Sequence, residues 1–581
     1  MAHLGRSTLV VGCAGLCLVT GVLAGCTTAR VSKPVVGPSV AATPSPTETA
    51  TPSAPTSTAA TAPASSMVSV PAMPASSAAG AGEGNADPTG RLVPLPISLV
   101  PEPASSFVIG AHAAIAVSGG SAQQIGVDLA DMLRPATGFA LPVVTRSGSA
   151  GDITLGLAAN DPTLGAEGYT LVVSHTGVRI EANQPAGLFD GIQTLRQLLS
   201  SQIQASSAQA GPWVVPGVRI SDYPRYAYRG AMLDLARHFF PVATVEKYID
   251  ELAMYKINVL HLHLSDDQGW RLAVDGWPAL TTVGSKTAVG GGSGGFYTTS
   301  DYTAIVKYAQ AHFIAVVPEI DMPGHVGAAL SSYASLNCDG VAPPINTTET
   351  VGHTSLCVGK PAVDQFLTAV VGELARLTPG PYIHIGGDEA ASTSASDYAF
   401  FMTQAAQVVK ADGKTPMGWE DFATAALPTG SIAQYWDFRN GGALARQAVA
   451  QGAQLVMSPA DHTYLDQKYT PATSLGLQWA GTHEVQDAYN WDPATEVPGL
   501  AADVIGVEGP LWTETLTSLK DLQYMAWPRM AELAEVGWTP QVQRNWSTFA
   551  PRLAAQGPAW KLLGINYYAS PLVPWPENAV G

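Results

Sequence analysis

The sequence predicts an α/β protein: a closed (β/α)8 TIM barrel over residues 221–581, preceded by a small α+β domain over residues 91–220. Two observations support this prediction. From about residue 228, short apolar segments of period two alternate with amphipathic helices, which is typical of a parallel sheet with helical crossovers. Eight such segments follow one another, and eight is the number of strands in a closed barrel of this type.

Residues 1–26 are typical of a lipoprotein signal peptide. Arg6 precedes an apolar run from Leu9 to Leu23, which is too short for a membrane span and suits the hydrophobic part of a signal peptide. The run ends in Leu23-Ala24-Gly25-Cys26, which resembles a bacterial lipobox with Cys26 as the lipidated residue. We expect an exported protein that is lipid-anchored at the cell surface. If ordinary cleavage occurs nearby instead, the protein is secreted.

Residues 27–90 form a predicted disordered linker. Ala, Pro, Ser and Thr dominate this stretch, aromatic residues are absent and charges are few. Such a composition buries too little apolar surface to offset the entropy of ordering the chain. The whole chain carries a net charge of −17, which argues against nucleic acid as a partner.

The five cysteines predict one disulfide. Cys13 and Cys17 lie inside the signal segment, and Cys26 is the lipidation candidate. Cys338 and Cys357 remain as an even pair in an oxidising compartment, so we expect a bridge between them. Two free buried thiols are the alternative.

The small domain is predicted from strand and helix patterns that end near Val218. The hairpin between the two strands 169–174 and 178–180 turns at Thr176-Gly177. Its other predicted elements are strands 107–109, 115–117 and 153–155 and helices 125–133 and 188–199.

The eight barrel strands are predicted from their apolar patterns, and few helical patterns separate the later ones. They cover residues 230–235, 258–264, 314–320, 382–385, 415–419, 432–436, 455–458 and 504–507. In a TIM barrel, the active site lies at the carboxyl ends of the strands. Every predicted strand is followed there by a carboxylate, an aromatic residue or both. Core packing does not require this pattern, whereas a cleft for a polyol does.

Asp388 and Glu389 are the best candidates for a pair of catalytic carboxylates, since glycoside hydrolysis needs two such groups. They are adjacent, and neighbouring strand residues point to opposite faces unless the strand ends there. The two preceding glycines make such an ending feasible. Adjacency argues against a nucleophile and an acid on different strands. It suits a mechanism in which the substrate supplies the nucleophile and one carboxylate orients it.

Three segments resemble family 20 glycoside hydrolases, and the resemblance covers roughly residues 92–570. They are Tyr228-Arg229-Gly230-Ala231-Met232-Leu233-Asp234-Leu235-Ala236-Arg237-His238-Phe239, His261-Leu262-His263-Leu264-Ser265-Asp266-Asp267-Gln268-Gly269-Trp270-Arg271 and His384-Ile385-Gly386-Gly387-Asp388-Glu389. The resemblance implies an exo-acting, retaining β-N-acetylhexosaminidase. In such enzymes the 2-acetamido oxygen of the substrate attacks the anomeric carbon and forms an oxazolinium intermediate, a known exception to the two-carboxylate rule.

The resemblance also implies roles for individual residues. Glu389 is expected to be the general acid and base, Asp388 to orient the acetamido group, and Tyr464 to donate a hydrogen bond to its oxygen. The expected sugar contacts are Arg229 to the 3- and 4-hydroxyls, Asp466 and Glu514 to the 4- and 6-hydroxyls, Trp419 and Trp436 around the acetamido methyl, Trp512 on the sugar face and Trp479 at the +1 site.

His325 is expected to act as a relay with Glu389 and either Asp266 or Asp267. Asp321 is expected to support Arg229 or His325. For Asp234, Arg237 and His238 a structural and a functional role remain equally open. No cofactor is expected. His261 and His263 form an H-x-H pattern on one strand face, but no further ligands recur at the other strand ends, so no metal is expected.

The expected partners are oligosaccharides or glycoconjugates that end in N-acetylhexosamine. Chitin fragments, which would imply chitin degradation, peptidoglycan pieces and host glycans all provide this sugar. Two alternatives remain open: a related specificity such as that of a lacto-N-biosidase, and a catalytically dead glycan-binding barrel at the cell surface. Arg229 argues against the first and the presence of Glu389 against the second.

Overall fold

The computed structural model describes residues 88–157 and 161–579. The predicted signal peptide 1–26, the lipidation site Cys26 and all but the last residues of the predicted linker 27–90 lie outside the described residues. Among the helices of the described ranges, none combines the length and the hydrophobicity needed to cross a membrane.

The small domain contains a seven-stranded mixed sheet in the order β1-β9-β6-β7-β5-β3-β4, and a two-stranded sheet of β2 and β8. The helix α1 packs on β3 and β4, and α2 packs on β6 and β7. The elements are β1 Ser98–Pro101, β2 Phe107–Ile109, β3 Ile115–Ser118, α1 Gln123–Thr137, β4 Val143–Thr145, β5 Asp152–Gly156, β6 Tyr169–Ser174, β7 Gly177–Ala182, α2 Pro185–Leu198, β8 Trp213–Val215 and β9 Val218–Asp222.

The second domain is a closed barrel of eight parallel strands, in which the last strand pairs with the first. The strands are β10 Tyr228–Asp234, β11 Val259–His263, β12 Ala315–Glu319, β13 Tyr382–His384, β14 Thr415–Trp419, β15 Ile432–Tyr435, β16 Gln454–Met457 and β17 Val504–Leu511. Every residue of β10 and β11 is buried, as expected for parallel strands covered by helices outside and side chains inside. The predicted fold class is thus confirmed, with all eight strands.

Helices surround the barrel unevenly, as the sequence indicated. A 3-10 helix, Glu420–Thr424, is the whole connection between β14 and β15 apart from loop. The helices are α3 Val242–Ala253, α4 Ala279–Thr282, α5 Thr299–Ala311, α6 Gly327–Ser332, α7 Pro361–Leu377, α8 Ala395–Ala411, α9 Ala443–Ala450, α10 Ala460–Thr463, α11 Val485–Tyr489, α12 Pro493–Glu496, α13 Leu519–Ala526, α14 Arg529–Trp538, α15 Trp546–Ala554 and α16 Gly557–Leu563.

Buried polar contacts join the small domain to the barrel. Lys256 Nζ lies 3.1 Å from Asp222 Oδ2, and the Tyr169 hydroxyl donates to the same oxygen over 2.7 Å. The indole N–H of Trp538 donates to the other oxygen of Asp222 over 2.8 Å. A buried carboxylate with this set of donors is satisfied and costs little to bury. These contacts hold the segment before β11 and the end of α14 against the small domain.

Cys338 and Cys357 are joined by a disulfide, as the sequence predicted. The bridge closes a loop between α6 and α7, which we call the 338–357 loop. Gln268 Nε2 donates to the carbonyl of Thr348 over 2.6 Å, and Ser392 Oγ donates to the carbonyl of Gly352 over 2.8 Å. The loop is therefore tied down on the carboxyl end of the barrel.

Candidate active site

The adjacent carboxylates lie where β13 ends, in a backbone that only glycines make possible. A Cβ on Gly386 would stand 1.8 Å from Asp321 Oδ1, and both Gly386 and Gly387 have positive φ. Glu389 itself has a φ of +47°, which is unfavourable for a residue with a side chain. Such strain is typical of functional sites. Because the strand ends in this turn, both carboxylates face one pocket although they are adjacent in the sequence.

Asp388 and Glu389 have different environments. The Asp388 side chain is 13% exposed and that of Glu389 36%. Burial raises the pKa of Asp388 and, more strongly, that of its neighbour Asp321, whose pKa the charge of Asp388 raises further. Asp321 therefore holds the proton of this pair and supports Asp388. One oxygen of Asp388, Oδ1, is buried without a hydrogen-bond partner among the described residues.

His325 lies between the two carboxylates and a third one behind it. Its Nε2 atom is 3.5 Å from Glu389 Oε2 and 3.7 Å from Asp388 Oδ2, and its Nδ1 atom is 3.2 Å from Asp266 Oδ1. Burial alone would lower the pKa of His325, but Asp266 and Asp388 raise it well above its usual value. The raised pKa favours the cationic form of the ring, whose charge opposes the effect of burial on the pKa of Asp388.

Four aromatic side chains pack in one cluster, Trp419, Trp436, Tyr464 and Trp512, and all of them except Trp419 line the pocket. Trp419 is the most buried and donates its indole N–H to Glu319 over 2.9 Å, while Trp436 donates to Asp421 over 2.9 Å. Burial and the charge of Asp388 raise the pKa of Tyr464 well above its usual value, so its hydroxyl stays a donor. Trp479 is 45% exposed and stands edge-on to Trp436 and Tyr464 at the mouth.

Asp466, Glu514 and Arg237 line the same pocket. Asp466 Oδ1 and Glu514 Oε2 are buried without hydrogen-bond partners among the described residues. Arg237 bridges to Asp266 over 2.8 Å, lies 4.0 Å from Glu514 and covers the ring of Trp512 at 4.8 Å. Unpaired carboxylate oxygens beside a cation and an indole suit the hydroxyls and the apolar face of a sugar.

The structure corrects the prediction for Arg229. This residue lies near the amino end of β10, away from the pocket, and its side chain is 1% exposed. Its guanidinium pairs with Glu167 of the small domain over 2.6 Å and donates to two backbone carbonyls. Arg237, which follows the carboxyl end of the same strand, is the arginine of the pocket. The prediction that Asp321 supports Arg229 is wrong for the same reason.

Of the two candidates for the His325 relay, Asp266 makes the contact. Asp267 instead accepts hydrogen bonds from Thr354 Oγ1 over 2.6 Å and from the backbone of Gly327 over 2.8 Å. It anchors the 338–357 loop. Sequence reasoning missed further lining residues, because they lie on loops without a pattern of their own: Glu349, Val351, Arg439 and Leu477.

His261 and His263 point into the barrel, where they belong to a buried network. His261 lies 2.9 Å from Glu508 and 3.1 Å from Glu319, and Glu319 also lies 3.0 Å from His384. His261, Glu319 and His384 are close enough together to hold a metal ion. Glu319 lies between these rings and accepts the hydrogen bond from the indole N–H of Trp419, so the cluster supports that side chain.

The barrel and its pocket define the class of this protein: it is a glycoside hydrolase with a TIM barrel, because carboxylates with different environments meet indoles at the carboxyl ends of the strands. The model of the glycosyl hydrolase family 20 catalytic domain matches residues 226–398 and 390–541, and that of domain 2 of the same family matches residues 89–223. The chain belongs to glycosyl hydrolase family 20, and it is a β-N-acetylhexosaminidase.

Individual relatives agree with this assignment. A β-N-acetylhexosaminidase of Cellulomonas fimi is 42% identical over 84% of this chain and 98% of its own length. The solved family 20 β-N-acetylhexosaminidase of Streptomyces coelicolor A3(2) is 51% identical, with a TM-score of 0.82 over 84% of this chain and 99% of its own. A mutant β-hexosaminidase of Streptomyces plicatus, solved with its product GlcNAc, is 51% identical with a TM-score of 0.82 over 85% of this chain and 100% of its own.

Proposed function

We propose that the enzyme removes terminal non-reducing β-linked GlcNAc or GalNAc by substrate-assisted catalysis with net retention. The observation that carries this proposal is the contrast between Asp388 and Glu389. Asp388 is the more buried and offers an unpaired oxygen, whereas Glu389 is more open to the mouth where a leaving group departs. Asp388 accepts a hydrogen bond from the acetamido N–H. Glu389 protonates the leaving oxygen and then activates water.

In the proposed first step, the acetamido oxygen attacks the anomeric carbon while the bond to the leaving oxygen breaks. Glu389 gives its proton to that oxygen. Asp388 stabilises the positive charge that spreads over the oxazolinium ring, and the Tyr464 hydroxyl holds the acetamido oxygen in place for attack. In the second step water adds to the anomeric carbon, Glu389 takes its proton, and the ring opens to the free sugar with its original configuration.

Arg237, Asp466 and Glu514 support exo action in this scheme. They occupy one region of the pocket and satisfy the 3-, 4- and 6-hydroxyls of a terminal sugar, which leaves no room for a further sugar there. Arg237, and not Arg229, is the residue that closes the 3-hydroxyl side of the pocket against the galactosyl substituent of a lacto-N-biosidase substrate. The intact set of Asp388, Glu389 and Tyr464 argues against a dead binding barrel.

The experiment measures release of nitrophenol from the β-GlcNAc, β-GalNAc and β-glucose aryl glycosides. Turnover of the first two and none of the third, which lacks the acetamido group, is the expected result. Strong inhibition by a thiazoline analogue of the oxazolinium, and a first-formed β-anomer seen by NMR, support the mechanism. A covalent sugar–protein adduct would overturn it, and absence of turnover on all three glycosides would overturn the activity itself.

We also propose that the protein is exported and held at the cell surface by a lipid on Cys26. The sequence around this residue supports the proposal. Replacing Cys26 by Ser should release the enzyme from the membrane fraction into the medium. A Cys26→Ser protein that stays with the membranes would show that the apolar segment itself is the anchor.

A further inference from the structure

The mouth of the pocket carries an arginine that the catalytic scheme does not use. Arg439 follows β15 in the 3-10 helix Phe438–Asn440 and lines the pocket together with Glu389 and Trp479. Its guanidinium carbon lies 5.7 Å from the ring centre of Trp436 and 5.5 Å from that of Trp479. The other arginine of the pocket, Arg237, is only 6% exposed and is held by carboxylates.

Arg439 is held so that the outer end of its guanidinium stays available. Its Nε atom donates to Asp437 Oδ1 over 2.6 Å, while its two terminal nitrogens have no acceptor among the described residues. The side chain is 55% exposed. A guanidinium fixed through Nε presents its two terminal N–H groups as a fork, which matches the two oxygens of a carboxylate.

The turn that carries Arg439 is itself fixed. Glu420, 0% exposed, accepts hydrogen bonds from the backbone N–H of Asp437 over 3.2 Å and from Asn440 Nδ2 over 2.8 Å. Asp437 in turn also accepts from the backbone N–H of Arg439 over 3.2 Å. The guanidinium therefore has a defined place at the mouth and need not be ordered by a ligand, which favours binding.

The location of Arg439 relative to Glu389 indicates which part of the substrate it faces. Arg439 and Glu389 line the same pocket, and the charge of Glu389 adds to the hydrogen bond and charge of Asp437 in raising the pKa of Arg439. A group close to the proton donor, on the open side of the pocket, faces the leaving part of the substrate. Trp479, 45% exposed beside it, offers that same part a stacking surface.

We propose that Arg439 makes the enzyme selective for a leaving sugar that bears a carboxylate, as the N-acetylmuramic acid of peptidoglycan does. This inference rests on the proposed function, because it assigns the leaving-group side of the pocket from the role of Glu389. The carboxylate binds the two terminal N–H groups of Arg439, and the sugar ring stacks on Trp479.

Glu349 carries the opposite charge to Arg439 at the same mouth of the pocket, so its replacement should have the opposite effect. It lies exposed on the 338–357 loop and lines the pocket from there. As a carboxylate at the mouth, it repels an anionic leaving sugar, while Arg439 attracts it. Replacing each residue by Gln should therefore shift the selectivity in opposite directions.

The experiment uses two disaccharides that differ in one charge: GlcNAc β-1,4-linked to N-acetylmuramic acid, and the methyl ester of the same compound. The wild-type enzyme should show a kcat/KM about five-fold higher on the acid than on its ester, since an ion pair with a half-exposed guanidinium is weakened by solvent and salt. The Arg439→Gln variant should lose this preference, and Glu349→Gln should increase it. Raising the salt concentration should weaken it.

Arg446→Gln is the matched control, because Arg446 is exposed on α9, outside the pocket, and the change in net charge is the same. It should leave the ratio unchanged. Equal rates of the wild-type enzyme on acid and ester would overturn the inference while leaving the proposed function intact. An Arg439→Gln variant that slows both substrates equally would show that Arg439 acts on Glu389 and does not read the leaving sugar. Failure on both disaccharides and on the aryl glycosides would mean that the proposed function itself is wrong.

Discussion

The Nε2 atom of His325 lies 3.5 Å from Oε2 of Glu389, while the Nδ1 atom of the same ring lies 3.2 Å from Asp266. His325 has a φ of +50°, so the ring is held in this place at a conformational cost. Five carboxylates lie close to it: Asp266, Asp267, Asp388, Glu389 and Asp321. The proton of His325 therefore belongs to the catalytic site, and its loss changes the charge beside the general acid.

The first prediction concerns the pH dependence of this pair. Asp266 and Asp388 keep the pKa of His325 well above its usual value despite burial. Replacing Asp266 by Asn removes one of these charges, so His325 loses its proton at a lower pH. We expect the alkaline limb of the kcat/KM profile to move down by about one pH unit or more. A His325→Gln variant should lose the alkaline ionisation that belongs to this group.

The protonation of His325 should also make the free energy of unfolding depend on pH. The folded-state pKa of His325 is raised, so its contribution is fully present below the unfolded-state value of about 6.5 and is lost as pH rises through the folded-state value. Thermal unfolding of wild type and Asp266→Asn across this range checks it. Asp267→Asn is the comparison variant: Asp267 also lies close to His325, but it binds Thr354 and makes no hydrogen bond with the ring, so its loss should shift the profile less. An equal shift of the rate profile in both variants would refute a specific role of Asp266.

The second prediction concerns Glu389. The variant Glu389→Gln keeps the shape of the side chain but has no proton to give, so we expect kcat on β-GlcNAc disaccharides to fall by about 100-fold to 10,000-fold. Binding should persist, because Asp388, Tyr464 and the indoles remain. Calorimetric titration with GlcNAc checks the binding. An aryl glycoside with a good leaving group should lose less, since it needs less protonation, and unchanged kcat would place the acid elsewhere.

The third prediction separates Arg237 from Arg229. Arg237→Met removes a cation from the sugar pocket, so kcat/KM should fall by about 100-fold, as for loss of charge-assisted bonds to two hydroxyls. Arg229→Met leaves the pocket intact but strands Glu167 and two carbonyls at the domain contact, which should destabilise the protein by about 3 kcal/mol. Kinetics per folded molecule and denaturant unfolding distinguish the two. Loss of activity in a well-folded Arg229→Met would restore the original prediction.

The different positions of Arg229 and Arg237 show which parts of the site can be predicted from the sequence. Strand periodicity located all eight barrel strands, and the rule that chemistry follows the carboxyl ends of strands located Asp388 and Glu389. The same rule favours Arg237, three residues after Asp234, over Arg229 near the strand start. The segment that resembles the family contains both arginines, and their positions relative to the end of the strand distinguish them.

Other parts of the structure could not be read from the sequence. Strands β1 and β9 pair across more than a hundred residues; β1 has four residues and no alternation, and β9 alternates over only five. Glu349 and Arg439 reach the pocket from loops, whose course is set by tertiary contacts such as those of Thr354 with Asp267 and of Asn440 with Glu420. Local patterns carry no information about such contacts.

The last prediction concerns the disulfide between Cys338 and Cys357. Their separation is 19 residues, and the loop between them brings Glu349 and Val351 to the pocket. Replacing both cysteines by Ser removes a constraint on the unfolded chain, so the free energy of unfolding should fall by about 3 kcal/mol by the chain-entropy model.

The same double replacement should affect the kinetics in a selective way. Asp388 and Glu389 lie outside the loop, so kcat should change little. KM should rise for disaccharides, whose leaving sugar touches the loop, and less for aryl glycosides. Reduction of the wild-type enzyme should reproduce both effects and leave the double variant unaffected. Equal KM values for disaccharides in wild type and variant would show that the loop holds its place without the bridge, through hydrogen bonds such as those to Gln268, Asp267 and Ser392.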